Sequence, residues 1–231
     1  MRVIVFGATG MVGQGVLRAC LLDGGIDKVL VIGRRGTGQQ HAKLVEVLLE
    51  DLFTVPALGE QLTGYEACFY CLGVSAVGMK EESYRRVTYD LTVMVAEVLV
   101  ARNPQMTFIY VSGQSTDGTA RGRVMWARVK GATENAVRAL PFKATYMFRP
   151  GYIQPMHGIT SSTSWYRLIY HVLGPLYPVL RRLFPRNVTT TDAVGQAMIA
   201  AGRQGAPTVV LENRDINELA EATTHGPDRR I

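Results

Sequence analysis

Trp126 and Lys130 stand four residues apart in RVMWARVKGATENAV (residues 123–137), whose spacing predicts a helix with both on one face. A lysine on a face that looks into a reaction site can anchor a ligand or move a proton. An indole can neither give nor take a proton near neutral pH, because its N–H only donates a hydrogen bond. A second chemistry is offered by Gly7, Gly10 and Gly13, which fall between a Val- and Ile-rich run and an apolar, helix-spaced segment. A phosphate-binding turn needs glycines there: one for the tight turn, one for close approach of backbone N–H groups to a pyrophosphate, one for close packing of helix on strand. About twenty residues further on, a protein that selects NAD carries an acid for the ribose hydroxyls. This chain has Gly33-Arg34-Arg35 instead. Two guanidinium groups can clamp a 2′-phosphate through forked, charge-assisted hydrogen bonds, where a carboxylate would repel it. The expected cofactor is therefore NADP, with NAD the lesser alternative and solvated surface arginines the competing explanation.

These residues need elements to hold them. Residues 2–6, 28–32, 44–49, 67–71, 107–112 and 144–148 are short apolar runs of the kind buried in a parallel sheet. Helical spacing follows the glycine loop, closing at Gly24-Gly25, and recurs over 82–102, 122–140 and 192–203, with a last short strand at 208–211. Parallel strands need crossovers, so the alternation predicts a Rossmann-like α/β fold, a doubly wound parallel sheet with helices on both faces. The 231 residues, 47% hydrophobic and 19% charged, suit one domain spanning 1–231. Ligands in such sheets bind beyond the carboxyl ends of the strands, which makes 151–190 the variable, substrate-covering segment.

As a set, the landmarks resemble the extended and atypical short-chain dehydrogenase/reductases, the group of NAD-dependent epimerase/dehydratases and NmrA-like proteins. GATGMVG is similar to their GxxGxxG, Asp51-Leu52 to the adenine-contacting acid and its neighbour, and Cys71-Leu72-Gly73 to the fourth-strand end beside the cofactor. YVSG (110–113) resembles the fifth strand ending in the active-site serine, and Arg149-Pro150-Gly151 the turn that closes over the nicotinamide. The resemblance covers roughly residues 1–155. It implies cofactor contacts at Gly7, Thr9, Gly10, Met11, Val12, Gly13, Arg34, Arg35, Asp51, Leu52, Cys71, Leu72, Gly73, Lys130, Pro150 and Gly151, and catalytic positions at Ser112, Trp126 and Lys130. The family's YxxxK falls on Trp126-Ala127-Arg128-Val129-Lys130, so Lys130 matches the ribose-holding lysine and Trp126 replaces the tyrosine. The usual phenol relay is absent. Three consequences stay open: another acid (Ser112, Tyr152 or a water) serves an oxidoreductase, the protein is a non-catalytic NADP(H)-binding regulator, or Trp126 is a platform that stacks a flat or apolar ligand. Core packing is the plain alternative for Trp126.

Other features are expected to mislead. Cys68 and Cys71 form a CxxC inside a strand pattern, where side chains three apart point to opposite faces, and the four histidines are dispersed, so no metal is expected. Tyr110 shares a face with Ser112 but fits a central-strand core position, and Ser115 competes with Ser112 as the polar site residue. The net charge of +6 and pI of about 9.4 suggest an anionic partner, yet the basic residues are scattered, which excludes nucleic acid as the expectation. Residues 164–186 are apolar, aromatic and proline-broken, too short to span a bilayer. A pocket cover is favoured there over contact with a membrane surface. Three cysteines and no secretory signal pattern lead to the expectation of a cytoplasmic compartment. The expected partner is a small, fairly apolar carbonyl or alcohol, with a homodimer left open.

Overall fold

β1 (Arg2–Phe6) is buried at every position but its first, as a strand covered on both faces must be. Its alternate residues serve two cores: Val3 and Val5 pack on one side, Ile4 and Phe6 on the other. In the computed structural model, which describes residues 1–159 and 187–224, β1 pairs in parallel with β2 (Lys28–Gly33) and β4 (Ala67–Tyr70). β3 (Leu44–Leu48) flanks β2, while β5 (Thr107–Val111), β6 (Ala144–Arg149) and β9 (Val210–Glu212) follow β4. The order β3-β2-β1-β4-β5-β6-β9 reverses its direction of growth between β1 and β4, which opens a crevice at their carboxyl ends. The doubly wound parallel sheet expected from the alternation is the one found.

One face carries α1 (Met11–Leu22), α5 (Thr191–Gln204) and α6 (Asn213–Thr224), which contribute Val16, Leu17, Val194, Met198 and Ile216 to the first core. The other carries α3 (Leu91–Arg102) and α4 (Met125–Arg138), with Leu91, Val95, Leu99 and Val137 packed on Tyr70, Phe108 and Tyr110. The helix expected over 82–102 is composite: α2 (Glu81–Arg85) passes through a π-helical turn, Arg86–Asp90, into α3. It stops at Asn103, whose side chain instead accepts the N–H groups of Gly64 and Tyr65 at 2.8 and 3.0 Å.

α4 starts three residues later than its spacing suggests. The Asp117 carboxylate takes the N–H groups of Gly122 (2.6 Å), Arg121 (3.0 Å) and Thr119 (3.0 Å), so 117–122 folds as a loop around one side chain. That loop lies on the helix at Gly131, where a Cβ would be 1.7 Å from the Asp117 carbonyl oxygen. Two features had no sequence signal: the 3-10 run Leu52–Leu62, and a separate two-stranded sheet of β7 (Tyr152–Gln154) and β8 (Val188–Thr190). Three-residue strands are too short to show a period. The expected cover at 164–186 lies outside the described residues. No described helix is long and apolar enough to cross a membrane.

Candidate functional site

The glycine loop is compressed against the end of β4. Gly7 takes φ +75°, and a Cβ there would stand 2.6 Å from the Leu72 nitrogen. A Cβ on Gly13 would be 2.0 Å from the Gly7 carbonyl oxygen. Gly10 N–H closes the turn on that same oxygen at 2.9 Å. No other residue type fits at Gly7 or Gly13 without moving backbone.

Beside this loop a cleft of about 470 Å³ opens at the β1–β4 crevice. Gly7, Thr9 and Gly10 form one wall, Arg34 and Arg35 the rim, and Asp51 and Leu52 the far side, with Cys71, Leu72 and Gly73 closing it. Ten of the expected cofactor positions thus meet in one cavity. Both arginine side chains are exposed, and among the described residues neither is in an ion pair. Asp51 caps the following 3-10 run by accepting the Phe53 N–H at 3.0 Å. Met11, Val12 and Gly13 do not line the cleft: they begin α1, with Gly13 buried under the turn. Glu50, Phe53, Val74, Ser75, Val87 and Leu91 line it and were not anticipated. Val87 and Leu91 are four apart across the π-helical turn, a spacing that placed them on one face without saying what the face meets.

The remaining expected residues gather on α4 and the ends of β5 and β6. Trp126, Lys130 and Glu134 follow at four-residue steps along one face of α4. The Lys130 ammonium donates to the Ser112 carbonyl. The Ser112 hydroxyl donates to the Glu134 carboxylate at 2.5 Å and lies 3.2 Å from the Phe148 carbonyl. Glu134, 1% exposed, also accepts two hydrogen bonds from Arg149, Nε at 3.0 Å and Nη2 at 2.5 Å. Arg149 continues to Glu212 at 3.2 Å. Burial pushes the Lys130 ammonium down to about 8, against the opposing pull of Glu134. The paired Glu134 holds Arg149 above its ordinary value.

Glu134 was missed because its partners lie 22 and 15 residues away, and an isolated glutamate on a helix gives no sign of burial. Trp126 is half-buried and belongs to neither apolar core among the described residues, which argues against plain core packing. Pro150 and Gly151 are pinned at the end of β6, the Pro150 carbonyl accepting from Gln114 N–H and Gly151 N–H donating to Asn213 Oδ1, both at 2.9 Å. Neither lines the cleft. Ser115 is exposed with φ +67°. Tyr110 is core, and burial pushes its phenol up. Cys68 and Cys71 face opposite cores, with thiols that burial likewise pushes up.

Residues 3–128 match the NAD dependent epimerase/dehydratase family. Among curated proteins, "Protein fmp52, mitochondrial" of Emericella nidulans is 26% identical over 215 residues, 87% of each chain. "Protein FMP52-1, mitochondrial" of Scheffersomyces stipitis is 26% identical over 226 residues, 95% of this chain and 98% of that one. Among solved structures, the UDP-glucuronic acid 4-epimerase of Bacillus cereus in complex with NAD superposes with a TM-score of 0.65 at 14% identity, covering 91% of this chain and 76% of that one. A short chain dehydrogenase family protein of Francisella tularensis gives 0.62 at 13% identity, covering 93% and 92%. The mitochondrial names of the relatives overturn the expected cytoplasmic compartment. That expectation rested on the small number of cysteines, which does not by itself say which compartment holds a chain. With that family's model matched over more than half its length, the chain belongs to the NAD dependent epimerase/dehydratase family.

Proposed function

We propose that the protein is an NADP(H)-dependent oxidoreductase acting on a small, fairly apolar carbonyl or alcohol. The observation that carries this reading is the cleft at the β1–β4 crevice, where the glycine turn forms one wall and two exposed arginines the rim. In it, the backbone N–H groups of the Gly7–Gly13 turn would hold the pyrophosphate, Arg34 and Arg35 the 2′-phosphate, and Asp51 with Leu52 the adenine. Such a cofactor, when bound, supplies or accepts the hydride. The chain must supply the proton. Trp126 has none to give, the Ser112 hydroxyl is engaged by Glu134, and the Tyr152 hydroxyl donates to Gln154 at 2.9 Å. Among the described residues Lys130 is the candidate we favour: its ammonium has three donors, one spent on the Ser112 carbonyl, and an acidity near 8 suits proton transfer close to neutral pH. In this reading Ser112 positions Lys130, and Lys130 takes on the work of the missing phenol.

A second reading is favoured by the same two residues. With Trp126 in the tyrosine's place and Ser112 engaged, the cleft would serve a regulator that binds NADP(H) without turning it over.

Titration of the purified protein with NADPH and NADH, followed by cofactor fluorescence, tests the cofactor. NADPH is expected to bind more tightly, and Arg34→Glu to weaken NADPH by about tenfold or more while sparing NADH. Absence of binding for either dinucleotide sinks both readings. NADPH oxidation across a panel of apolar aldehydes and ketones then separates enzyme from regulator.

A further inference from the structure

Arg34 and Arg35 sit on a loop whose conformation is imposed from the neighbouring strand. At its start, Leu49 N–H donates to the Gly33 carbonyl at 2.9 Å, which ends the β2–β3 ladder. Beyond the arginines, Thr37 N–H donates to Glu46 Oε1 at 2.8 Å. The other carboxylate oxygen lies beside Gly36, 3.5 Å from where a Cβ would be. The turn then closes locally, Gln39 N–H on the Thr37 hydroxyl at 3.2 Å, with Gly38 at φ +72°. The two arginines are therefore bracketed by two clamps. Both come from the β3 side, and only the Glu46 clamp is a side chain.

We infer that Glu46, on the edge strand β3, is a positioning residue for cofactor selectivity: its carboxylate holds the Gly36–Thr37 backbone so that Arg34 and Arg35 face the cleft. This inference rests on the NADPH reading of that cleft. Glu46 touches no cofactor in this role. It acts by fixing the loop, which lowers the ordering cost of presenting two long side chains to one phosphate.

A carboxylate near a phosphate site also has a direct effect of opposite sign, since its charge repels the anion. Two substitutions separate the roles. Glu46→Gln keeps an oxygen acceptor for Thr37 N–H and removes the charge, whereas Glu46→Ala removes both. Kd values for NADPH and NADH are measured by fluorescence for wild type, E46A, E46Q and R34E, with thermal unfolding alongside. The positioning role predicts that E46A weakens NADPH by about tenfold, the loss of one charge-assisted hydrogen bond, and NADH by less than about twofold. It predicts that E46Q restores NADPH binding to wild-type strength or better. If E46A and E46Q both bind NADPH as wild type does, or both bind it more tightly, Glu46 is not a positioning residue. E46A weakening both dinucleotides equally overturns the inference too, since loop position would then carry no selectivity. R34E distinguishes the two levels. Should R34E leave the NADPH-to-NADH ratio unchanged, the NADPH reading itself falls and takes the inference with it. When R34E shifts the ratio and E46A does not, the inference alone fails.

Discussion

The proposed chemistry turns on one side chain. Trp126 stands a helical turn from Lys130, at the position where a tyrosine would couple hydride and proton transfer, and its side chain is half-buried outside both cores. Trp126→Tyr returns a phenol to that position while keeping an aromatic body of similar kind. General acid catalysis is worth about a hundredfold or more, so the variant is expected to raise carbonyl reduction by at least that factor where the wild type is slow. The check is initial rates of NADPH oxidation on a carbonyl panel, with cofactor Kd measured in parallel. Unchanged rates with intact cofactor binding would mean that the site is not waiting for a phenol, and the regulatory reading would gain.

At the scale of elements, Glu134 holds three together at the carboxyl end of the sheet. It lies on α4, takes the hydroxyl of Ser112 just past β5, and pairs twice with Arg149 at the end of β6. A buried carboxylate is tolerated because every oxygen is met by a donor. Glu134→Gln removes the charge and turns one acceptor into an amide donor that faces Arg149. Arg149 is half-buried and keeps Glu212, so losing the Glu134 charge is expected to cost about 1.5–3 kcal/mol, the range for a hydrogen bond to a charged group. For a chain of this size that lowers Tm by about 3–10 °C, which calorimetry would register. The variant also removes the group that supports the Lys130 ammonium, so Lys130 should lose its proton at lower pH than in wild type. A Tm within 2 °C or so of wild type would show that solvent already reaches the pair and that α4 is held by its apolar face alone.

For the whole molecule, buried ionisable groups set an alkaline limit. Burial raises Cys20, Cys68 and Cys71 above 9.0 and Tyr70 and Tyr110 above 10.0. The fold keeps these protons while the unfolded chain loses them, so their contribution is complete below about pH 9 and declines as pH rises further. Lys130 acts in the other direction. Its pKa falls from 10.5 to about 8 on folding, so stability recovers between those values as the unfolded chain binds the extra proton. Five groups oppose one, and urea midpoints are expected to change little from pH 8 to 9 and to fall steadily above 9. A flat profile to pH 11 would mean that the thiols and phenols are reached by water. Much of this architecture is legible in the chain itself. Strand periods, the glycine turn, Arg34 and Arg35, and the four-residue step from Trp126 to Lys130 are local patterns, and local geometry converts them into elements and faces. The late start of α4, the β7–β8 pair, the Glu134 hub and the Glu46 clamp are not legible. The β7–β8 pair and the Glu134 hub depend on partners 15 or more residues away. The late start of α4 and the Glu46 clamp depend on one carboxylate turning onto nearby loop N–H groups, which no period records. Periodicity reports which face is buried, but only the packed structure decides what fills it, and there the Ser112 hydroxyl turns to Glu134 while Lys130 keeps the Ser112 carbonyl.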